Sequence, residues 1–565
     1  MNVRSRRLAL AAILIASAAV RLYHVSAPMA DTLQAKQIYV ANKARSIARA
    51  PMNPLRNTLD FLDDRGGRMA LTEEVPLYHG LLGLGYRVFG ERDWVGHALS
   101  LLGTLAALLA FFDLVRREWD DRSALVATVL LSASPLFIFY GRAVLPEPWM
   151  LAGMLASAAC YRRYLDSAAK SARRWLVAAS IAGLAAALFK YFGLMVLVPL
   201  AAMAWRDAGS WRGLRSRSFL TMAAVMIAPV FAWIVVVFLR SPNPLRSGWV
   251  DGKVYPYLIL QAPEVLLAKP FWAGLFGRFL VRDCGPVTAV LIGVGVLGTW
   301  FRTRRDGTGR LDASLGTLGA WTVMGLSFYV LLGPKLCDHD YYELMMLPAA
   351  ALWATRGLQT LGRLADAREF SLMQAFPAGL DRSFPVGRAS PPTYSHRNFL
   401  VDGPGHPAHD HTGRSGTRPA LAILALAVIV QSPWISGGLF RQDEGKLALA
   451  GRLRALCPPD GRVVAIGPGI EFPTVVHYSH REGWPVHSPF LPADWRPQLA
   501  RYRASGATLI AVYFEPKATA AQRASYAPLL HELPVVERHS GARSRAGGPS
   551  EFIILSLRDA KNGPR

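Results

Sequence analysis

Long apolar runs separated by short charged turns are the main pattern along this chain. Several runs have roughly the 17–25 apolar residues that a helix needs to cross a bilayer. Backbone N–H and C=O groups find no water partners in hydrocarbon, so such runs must be helical. We therefore predict a multi-pass α-helical membrane protein with about eleven crossings.

The predicted crossings are residues 8–22, 94–115, 125–140, 149–164, 175–205 (crossing twice), 219–239, 284–300, 315–332, 341–353 and 420–434. The run 175–205 requires a choice, because a single helix would be about 46 Å long. A hairpin that turns near Lys190 keeps the basic loops on both sides of the run in the cytoplasm. It also removes the cost of about 2.5–3.5 kcal/mol for a lysine at the centre of a membrane helix.

The segments between the crossings differ in character. Outer loop 24–93 holds two amphipathic stretches, 33–48 and 76–89, and the first suits a helix in the membrane interface. Between them, 51–67 is rich in turn-forming residues and is predicted as a loop. A second outer loop covers 240–282. We expect residues 358–419 to be a disordered cytoplasmic insert of low complexity, because they are rich in Gly, Pro, Arg and His and lack periodicity over their second half.

Residues 440–565 follow the last membrane helix, 420–439, and have alternating strand and helix patterns. We predict strands at 462–466, 508–514 and 552–557, and helices at 497–504 and 520–530. The pattern is typical of a small extracytoplasmic α/β domain. The membrane part is then 1–357.

The composition agrees with a membrane protein, since 52% of the residues are hydrophobic and only 18% are charged. The formal net charge is +24, which in a soluble protein would suggest nucleic acid. Here the basic residues flank apolar runs, as the positive-inside rule expects. We therefore predict the lipid bilayer, and no nucleic acid, as a partner.

Several polar residues are expected to meet at the outer surface of the membrane. Asp31 lies just beyond the first crossing, where it is either a general base or the N-cap of the next helix. Glu73 and Glu74 are either ligands of a divalent cation or negative charges at a helix start. Arg142 and Lys190 either hold a leaving phosphate or snorkel to lipid headgroups.

Four segments resemble the GT-C superfamily of glycosyltransferases, within roughly residues 8–355. They are 72–79 (TEEVPLYH), 84–96 (LGYRVFGERDWVG), the hinge 142–148 and His339-Asp-Tyr-Tyr342. The nearest group is that of the protein O-mannosyltransferases and the aminoarabinose (lipid A) transferases. The resemblance implies a sugar donor on polyprenyl phosphate and an acceptor that the sequence does not identify.

The resemblance also implies roles for particular residues. Asp31 matches the catalytic carboxylate, and Glu73 matches a residue near a metal in relatives that use one, so a divalent cation is possible. Here Glu74-Val75 replaces the Lys-Pro of some relatives, so the donor phosphate contact must come from elsewhere. The candidates are Lys190, Arg142 and His339. The expected substrate-binding residues are Glu74, Glu147, Asp340, Tyr341 and Tyr342.

The sequence thus predicts an inverting transferase in the bacterial inner membrane, with its active site and C-terminal domain outside the cytoplasm. A transporter or flippase of a lipid-linked substrate is the alternative, although the internal repeats or broken mid-membrane helices expected of one are not evident. A third possibility is a non-catalytic scaffold whose outer domain binds a partner.

Overall fold

The computed structural model describes residues 1–49, 58–63, 66–70, 74–240, 268–305, 315–375, 426, 430–431, 438–468 and 473–558. Helices predominate before residue 376, and the C-terminal part is built on a β-sheet. The helices of the first part are α1 (Val3–Leu22), α2 (Gln34–Arg49), α3 (Leu77–Phe89), α4 (Asp93–Glu118), α5 (Asp121–Ala133), α6 (Pro135–Tyr140), α7 (Glu147–Leu165), α8 (Ala169–Phe189), α9 (Leu197–Ala208), α10 (Arg217–Arg240), α11 (Lys269–Gly277), α12 (Pro286–Arg305), α13 (Leu315–Asp338) and α14 (Leu347–Ala375).

The C-terminal helices are α15 (Glu444–Leu456), α16 (Pro473–Ser479), α17 (Trp495–Ala504), α18 (Ala520–Ser525) and α19 (Ala527–Glu532). The strands are β1 (Thr58–Leu62), β2 (Arg68–Ala70), β3 (Arg462–Gly467), β4 (Gly483–His487), β5 (Ala507–Phe514), β6 (Val535–Arg543) and β7 (Pro549–Ser556). Short 3₁₀ segments at Tyr191–Val196 and Asp340–Met346 precede α9 and α14, and a π-helical turn, Arg278–Asp283, follows α11.

Five of the described helices are long and apolar enough to cross a membrane. They are Asp93–Glu118, Ser171–Phe189, Arg217–Val237, Pro286–Arg304 and Gly316–Gly333. Each overlaps a predicted crossing and exposes large apolar side chains, for example Leu102, Ile181, Phe231 and Val290. The total of eleven crossings stays a prediction, because most of 420–434 lies outside the described residues.

Breaks in the helix interrupt the predicted crossings 125–140 and 175–205. The run 125–140 divides into α5 and α6 because Ser134 leaves the helical conformation before Pro135, as residues before proline tend to do. Lys190 has an extended backbone (φ −161°, ψ 136°) between α8 and the 3₁₀ segment. The break therefore lies at Lys190, where the hairpin interpretation places the turn.

The predicted insert does not begin at residue 358, because α14 continues to Ala375. Leu358, Leu361 and Leu364 keep apolar spacing, and most of their neighbours are strong helix formers. The first proline follows only at position 377. The prediction of disorder was therefore wrong for 358–375, and residues 376–419 lie outside the described part of the chain.

The segment predicted as an interfacial helix is mostly buried. α2 packs against α3, β1 and α16, and even the polar side chains of Lys43 and Arg45 are buried. Arg45 forms ion pairs with Asp60 (3.5 Å) and with Glu91 (2.9 Å). The interfacial prediction was wrong because these acidic partners come from other segments, and helical periodicity does not show them.

The sheet has the strand order β2-β1-β4-β3-β5-β7-β6. The pairs β1–β4, β4–β3 and β3–β5 are parallel. The pairs β5–β7 and β7–β6 are antiparallel. β3, β5 and β7 lie where strands are predicted, whereas β4 and β6 were not predicted. In β3, Val463 and Ala465 pack towards the helical region, while Val464 and Ile466 join a second core on the opposite face.

The sheet includes part of the first outer loop. Phe61 of β1 pairs with Gly483 of β4, and its side chain is fully buried. The indole N–H of Trp484 donates to the carbonyl oxygen of Asp63 at 2.8 Å. The loop prediction was therefore wrong for 58–62, and residues 440–565 do not form the sheet alone.

Candidate functional site

Asp31 is fixed by two side chains. Its Oδ2 accepts a hydrogen bond from Nη2 of Arg142 at 2.9 Å, and its Oδ1 accepts one from Nε2 of Gln37 at 2.8 Å. The side chains of Asp31 and Arg142 are each 1% exposed. Burial raises the pKa of Asp31 to about 6, although Arg142 and Gln37 favour the ionised form. This carboxylate is therefore ionised at neutral pH and has a pKa suited to accepting a proton.

Arg142 is the first residue of the hinge 142–148, which connects α6 to the start of α7. Its Nη1 donates to the carbonyl oxygen of His24 at 2.8 Å, and its guanidinium lies 4.4 Å from the ring centroid of Phe440. The backbone N–H of Val144 donates at 3.0 Å to Oε1 of Gln37, the same side chain that contacts the carboxylate. The hinge is thereby tied to α2.

The C-terminal part of the chain closes over this region. The carbonyl oxygen of Leu439 accepts from the backbone N–H (3.2 Å) and from Oγ1 (2.9 Å) of Thr32. From the turn between β6 and β7, Nη2 of Arg545 donates to Oγ1 of Thr32 at 2.8 Å. The positive charge of Arg545 also lowers the pKa of Asp31. The sheet region therefore contributes a cation next to the predicted catalytic carboxylate.

A second group joins two lysines and two glutamates. Nζ of Lys190 donates to Oε1 of the fully buried Glu147 and lies 3.6 Å from Oε1 of Glu74. Nζ of Lys36 lies 3.5 Å from the same Glu74 oxygen. Burial raises the pKa of Glu74, but Lys36 and Lys190 outweigh burial and hold that pKa below its usual range. Within the described residues, Oε2 of Glu147 has no hydrogen-bond partner.

Aromatic rings from the segment before α14 border the Lys190 ammonium. Nζ of Lys190 lies 4.9 Å from the ring centroid of Tyr341 and 4.6 Å from that of Tyr342. His339 stacks on Tyr342 with a centroid distance of 5.9 Å and an interplanar angle of 13°. Cation–π contacts of this kind hold an ammonium group in place without neutralising its charge.

Asp340 lies in a third group. The hydroxyl of Tyr140 donates to its Oδ1 and Nη2 of Arg282 donates to its Oδ2, while Nε of Arg282 donates to Oδ1 of Asp283 at 2.7 Å. Protein donors thus contact both Asp340 oxygens. The predicted contact of Asp340 with substrate stays a prediction. Its observed contacts connect Tyr140, just before the hinge, to the π-helical turn.

The predicted site residues therefore fall into adjoining groups. The hinge region links them, since Tyr140 reaches Asp340, Arg142 reaches Asp31 and Glu147 reaches Lys190. Neighbouring residues of α2 do the same, because Lys36 faces Glu74 and Gln37 binds Asp31. The roles of these residues in catalysis or binding remain predictions.

Only part of the predicted divalent-cation site lies within the described residues. They contain no cluster of three or more histidine, cysteine, aspartate or glutamate side chains. Glu74 and Glu147 are already paired with lysines. Glu73, the predicted metal-proximal residue, lies outside the described residues, so its role stays a prediction.

Sequence reasoning missed several members of these groups. Lys36 lies in the stretch 33–48 that was predicted as an interfacial helix, and nothing in the local pattern distinguishes Gln37. Arg545 lies more than 500 positions from Thr32, so no spacing rule connects them. The sequence does contain a signal for Arg282. Charged Arg282-Asp283 directly precedes an apolar run, just as Arg142 precedes the apolar run of α7.

The comparisons with known proteins agree with this architecture. A family profile described as dolichyl-phosphate-mannose-protein mannosyltransferase matches residues 73–235. The matched stretch contains Glu74, Arg142, Glu147 and Lys190, but it covers less than half of the chain. No curated protein matches the chain significantly.

Solved structures match much more of the chain. ArnT from Cupriavidus metallidurans, in a crystal structure bound to undecaprenyl phosphate, aligns with a TM-score of 0.57 at 14% sequence identity, covering 98% of this chain and 99% of that one. The chain has the GT-C fold. The Archaeoglobus fulgidus oligosaccharyltransferase tethered with an acceptor peptide has the same fold, with a TM-score of 0.56, 11% identity, and coverage of 98% and 74%.

Arabinofuranosyltransferase AftD from mycobacteria shares the GT-C fold as well, with a TM-score of 0.52 and 14% identity over all of this chain and 40% of that one. The resemblance recognised in the four sequence segments is thereby confirmed for the fold. At these identities, structural similarity concerns the fold alone.

Proposed function

We propose that this chain is an integral membrane glycosyltransferase that moves a sugar from a polyprenyl-phosphate donor to an acceptor at the outer face of the membrane. The observation that carries the proposal is the buried Asp31–Arg142 ion pair in a GT-C fold, next to the Lys190–Glu147 group. Charged groups are costly near hydrocarbon, and their convergence at one place usually serves a function.

The proposed reaction is a single displacement at the anomeric carbon. An acceptor hydroxyl oxygen forms a bond to that carbon while the bond from the carbon to the phosphate oxygen breaks. The hydroxyl proton passes to the carboxylate of Asp31, and the polyprenyl phosphate leaves with the bonding electron pair. Arg142 keeps Asp31 ionised and oriented, and attack opposite the leaving group inverts the anomeric configuration.

Lys190 is the best placed of the three candidates for the leaving phosphate. Its ammonium group has three N–H donors; Glu147 accepts from one, and the Glu74 carboxylate lies 3.6 Å away, beyond hydrogen-bond distance. Arg142 is largely committed to Asp31 and to the carbonyl oxygen of His24, which leaves its Nε without a partner in the described residues. We assign His339, with Tyr341 and Tyr342, to the wall beside the donor.

Support for a lipid-phosphate donor comes from similar structures. The ArnT structure contains undecaprenyl phosphate, and the oligosaccharyltransferase structure contains an acceptor peptide. We place the protein in the bacterial inner membrane, with the site and the sheet region outside the cytoplasm. The acceptor is a lipid, a glycan or a protein.

The test is sugar transfer in membranes that carry the wild type or Asp31→Asn. A panel of polyprenyl-phosphate sugars is supplied, and the loss of sugar from the lipid is followed. We expect turnover to fall by about 100-fold or more in Asp31→Asn, since this is the lower range for loss of a general base. Asp494→Asn, the same change at an exposed carboxylate next to α17, is the matched control and should keep full turnover.

Equal turnover in the wild type and Asp31→Asn, at equal amounts of protein in the membrane, would remove Asp31 from the chemistry. Movement of the labelled lipid across the bilayer with its sugar still attached would favour the transporter or flippase instead.

A further inference from the structure

A cavity of about 360 Å³ lies where the end of α2 meets β1, β2 and the amino ends of β3 and β4. We call it the arginine cleft, because five arginines line it: Arg45, Arg49, Arg68, Arg462 and Arg481. Its volume lies within the range of about 300–1,000 Å³ that small-molecule sites occupy. None of these arginines belongs to the groups around Asp31 and Lys190.

Arg481 has a distinctive environment in the cleft. Its Nη2 donates to the carbonyl oxygens of Arg454 (3.0 Å) and Cys457 (2.8 Å), and its Nη1 donates to that of His480 (3.1 Å). In the described part of the chain, Arg481 pairs with no carboxylate. The backbone carbonyls therefore fix the guanidinium in place without supplying a negative counter-charge.

The neighbouring arginines share their acidic partners. Oε1 of Glu482 accepts a hydrogen bond from Arg68, and its Oε2 accepts one from Arg462 at 3.2 Å. Two guanidiniums therefore share one carboxylate. On the opposite wall, Arg45 and Arg49 both lie 3.5 Å from Oδ2 of Asp60. They also both pair with Glu91, which stands behind that wall. Asp460 also lines the cleft, so five arginines there face three carboxylates, those of Asp60, Asp460 and Glu482.

The backbone at the cleft is strained. His480, which directly follows α16, has φ 53°, in the left-handed region that normally favours glycine or asparagine. This conformation places Arg481 and Glu482 in the wall of the cleft just before β4 begins. Partial burial and the charge of Arg45 lower the pKa of His480 to about 4, so its imidazole is neutral and retains one N–H donor.

We propose that the arginine cleft binds a phosphate group, separately from the donor phosphate at Lys190. Planar guanidiniums from three sides match the several oxygens of a phosphate, and such charge-assisted contacts are among the strongest hydrogen bonds in proteins. The cleft and the candidate site share α2. Gln37 and Arg45 lie eight residues apart on it, which is about 12 Å along the helix axis.

The phosphate is either carried on a sugar or free in solution, and a binding experiment distinguishes the two. Full-length protein in detergent is titrated calorimetrically with a hexose phosphate, with the same hexose lacking phosphate, and with inorganic phosphate. We expect the wild type to bind the hexose phosphate and not the hexose. Binding should weaken about tenfold or more in Arg481→Gln and in Arg68→Gln, the loss expected for one charge-assisted contact.

Arg496→Gln is the matched control, because Arg496 is 69% exposed and forms a surface pair with Glu532 outside the cleft. Arg68→Gln tests the cleft independently in case Arg481→Gln misfolds. Arg68 is 46% exposed and donates to no backbone carbonyl oxygen in the described chain, so its loss should not disturb the fold. Thermal unfolding shows that each variant is folded.

Inorganic phosphate binding as tightly as the hexose phosphate identifies free phosphate as the ligand, and weaker binding identifies a carried phosphate. The proposal is overturned if the wild type binds neither phosphate, or if both cleft variants bind as the wild type does. The readout is binding and not sugar transfer, so its outcome is independent of the Asp31→Asn test.

Discussion

At the scale of single residues, the decisive feature is the balance of charge around Asp31. Burial alone would favour the neutral acid, but Arg142 and Arg545 stabilise the carboxylate. These two arginines come from distant parts of the chain, one from the hinge before α7 and the other from the turn between β6 and β7. The protonation of Asp31 therefore depends on the contact between the sheet region and the helices.

We expect the turnover of the wild type to be half-maximal near pH 6 on its acid limb, because the proposed base must be ionised. Arg545→Gln removes a positive charge that lowers the pKa of Asp31, so that pKa rises and the acid limb moves to higher pH. The measurement is the pH dependence of sugar transfer. Arg543→Gln, an exposed arginine of β6, should leave the limb in place. If the acid limb of Arg545→Gln does not move, Arg545 does not influence the pKa of Asp31.

At the scale of elements, α2 has two functions that the sequence does not show together. Its first turn carries Lys36 and Gln37, which contact the predicted site residues. Its last turns pack against α3, β1 and α16 and carry Arg45 into the arginine cleft. β1 fixes this helix to the C-terminal sheet, because Phe61 is fully buried and packs edge-on against Tyr39 of α2 with a centroid distance of 5.5 Å.

Phe61→Ala should destabilise the protein by about 3–5 kcal/mol, because it leaves a cavity where α2 meets the sheet. The measurement is thermal unfolding of the purified protein in detergent. Phe490→Ala removes a ring that is 49% exposed and serves as the control, with an expected loss well below that of Phe61→Ala. Equal loss in the two variants would show that the junction between β1 and β4 contributes little to stability.

At the scale of the whole molecule, the fold joins membrane-type helices to a sheet made from both ends of the sequence. The five long apolar helices expose apolar side chains outwards, as lipid contact requires. The hydrophobic core that surrounds α4 and α7 continues through α15 to the inner face of β3 and β5. The sheet region is therefore packed against the helices.

The predicted orientation can be checked by cysteine labelling in a variant whose four native cysteines are replaced. Ser540→Cys in β6 should react with a membrane-impermeant maleimide in right-side-out vesicles, because the sheet region is proposed to lie outside. Ala168→Cys, between α7 and α8, should react only after detergent is added. Both positions are exposed. The reverse labelling pattern would contradict the orientation.

The sequence by itself determined the features that depend on local chemistry. Apolar runs specify membrane-type helices because of their length, strands β3, β5 and β7 follow from short β-branched runs, and the cost of a buried lysine places a break at Lys190. The hinge residues Arg142 and Glu147 also stand out, because charges between apolar runs need a reason. The segments that resemble GT-C enzymes then indicate the fold.

Only the tertiary structure decided which of these residues meet. The pairing of β1 with β4 joins positions more than 400 residues apart, and Arg545 reaches Thr32 over a still longer separation. Lys190 with Glu147, and Arg45 with Asp60 and Glu91, are charge pairs that form because burial makes an uncompensated charge costly. Periodicity and composition describe each segment alone, whereas strand pairing and charge compensation depend on which segments the folded chain brings into contact.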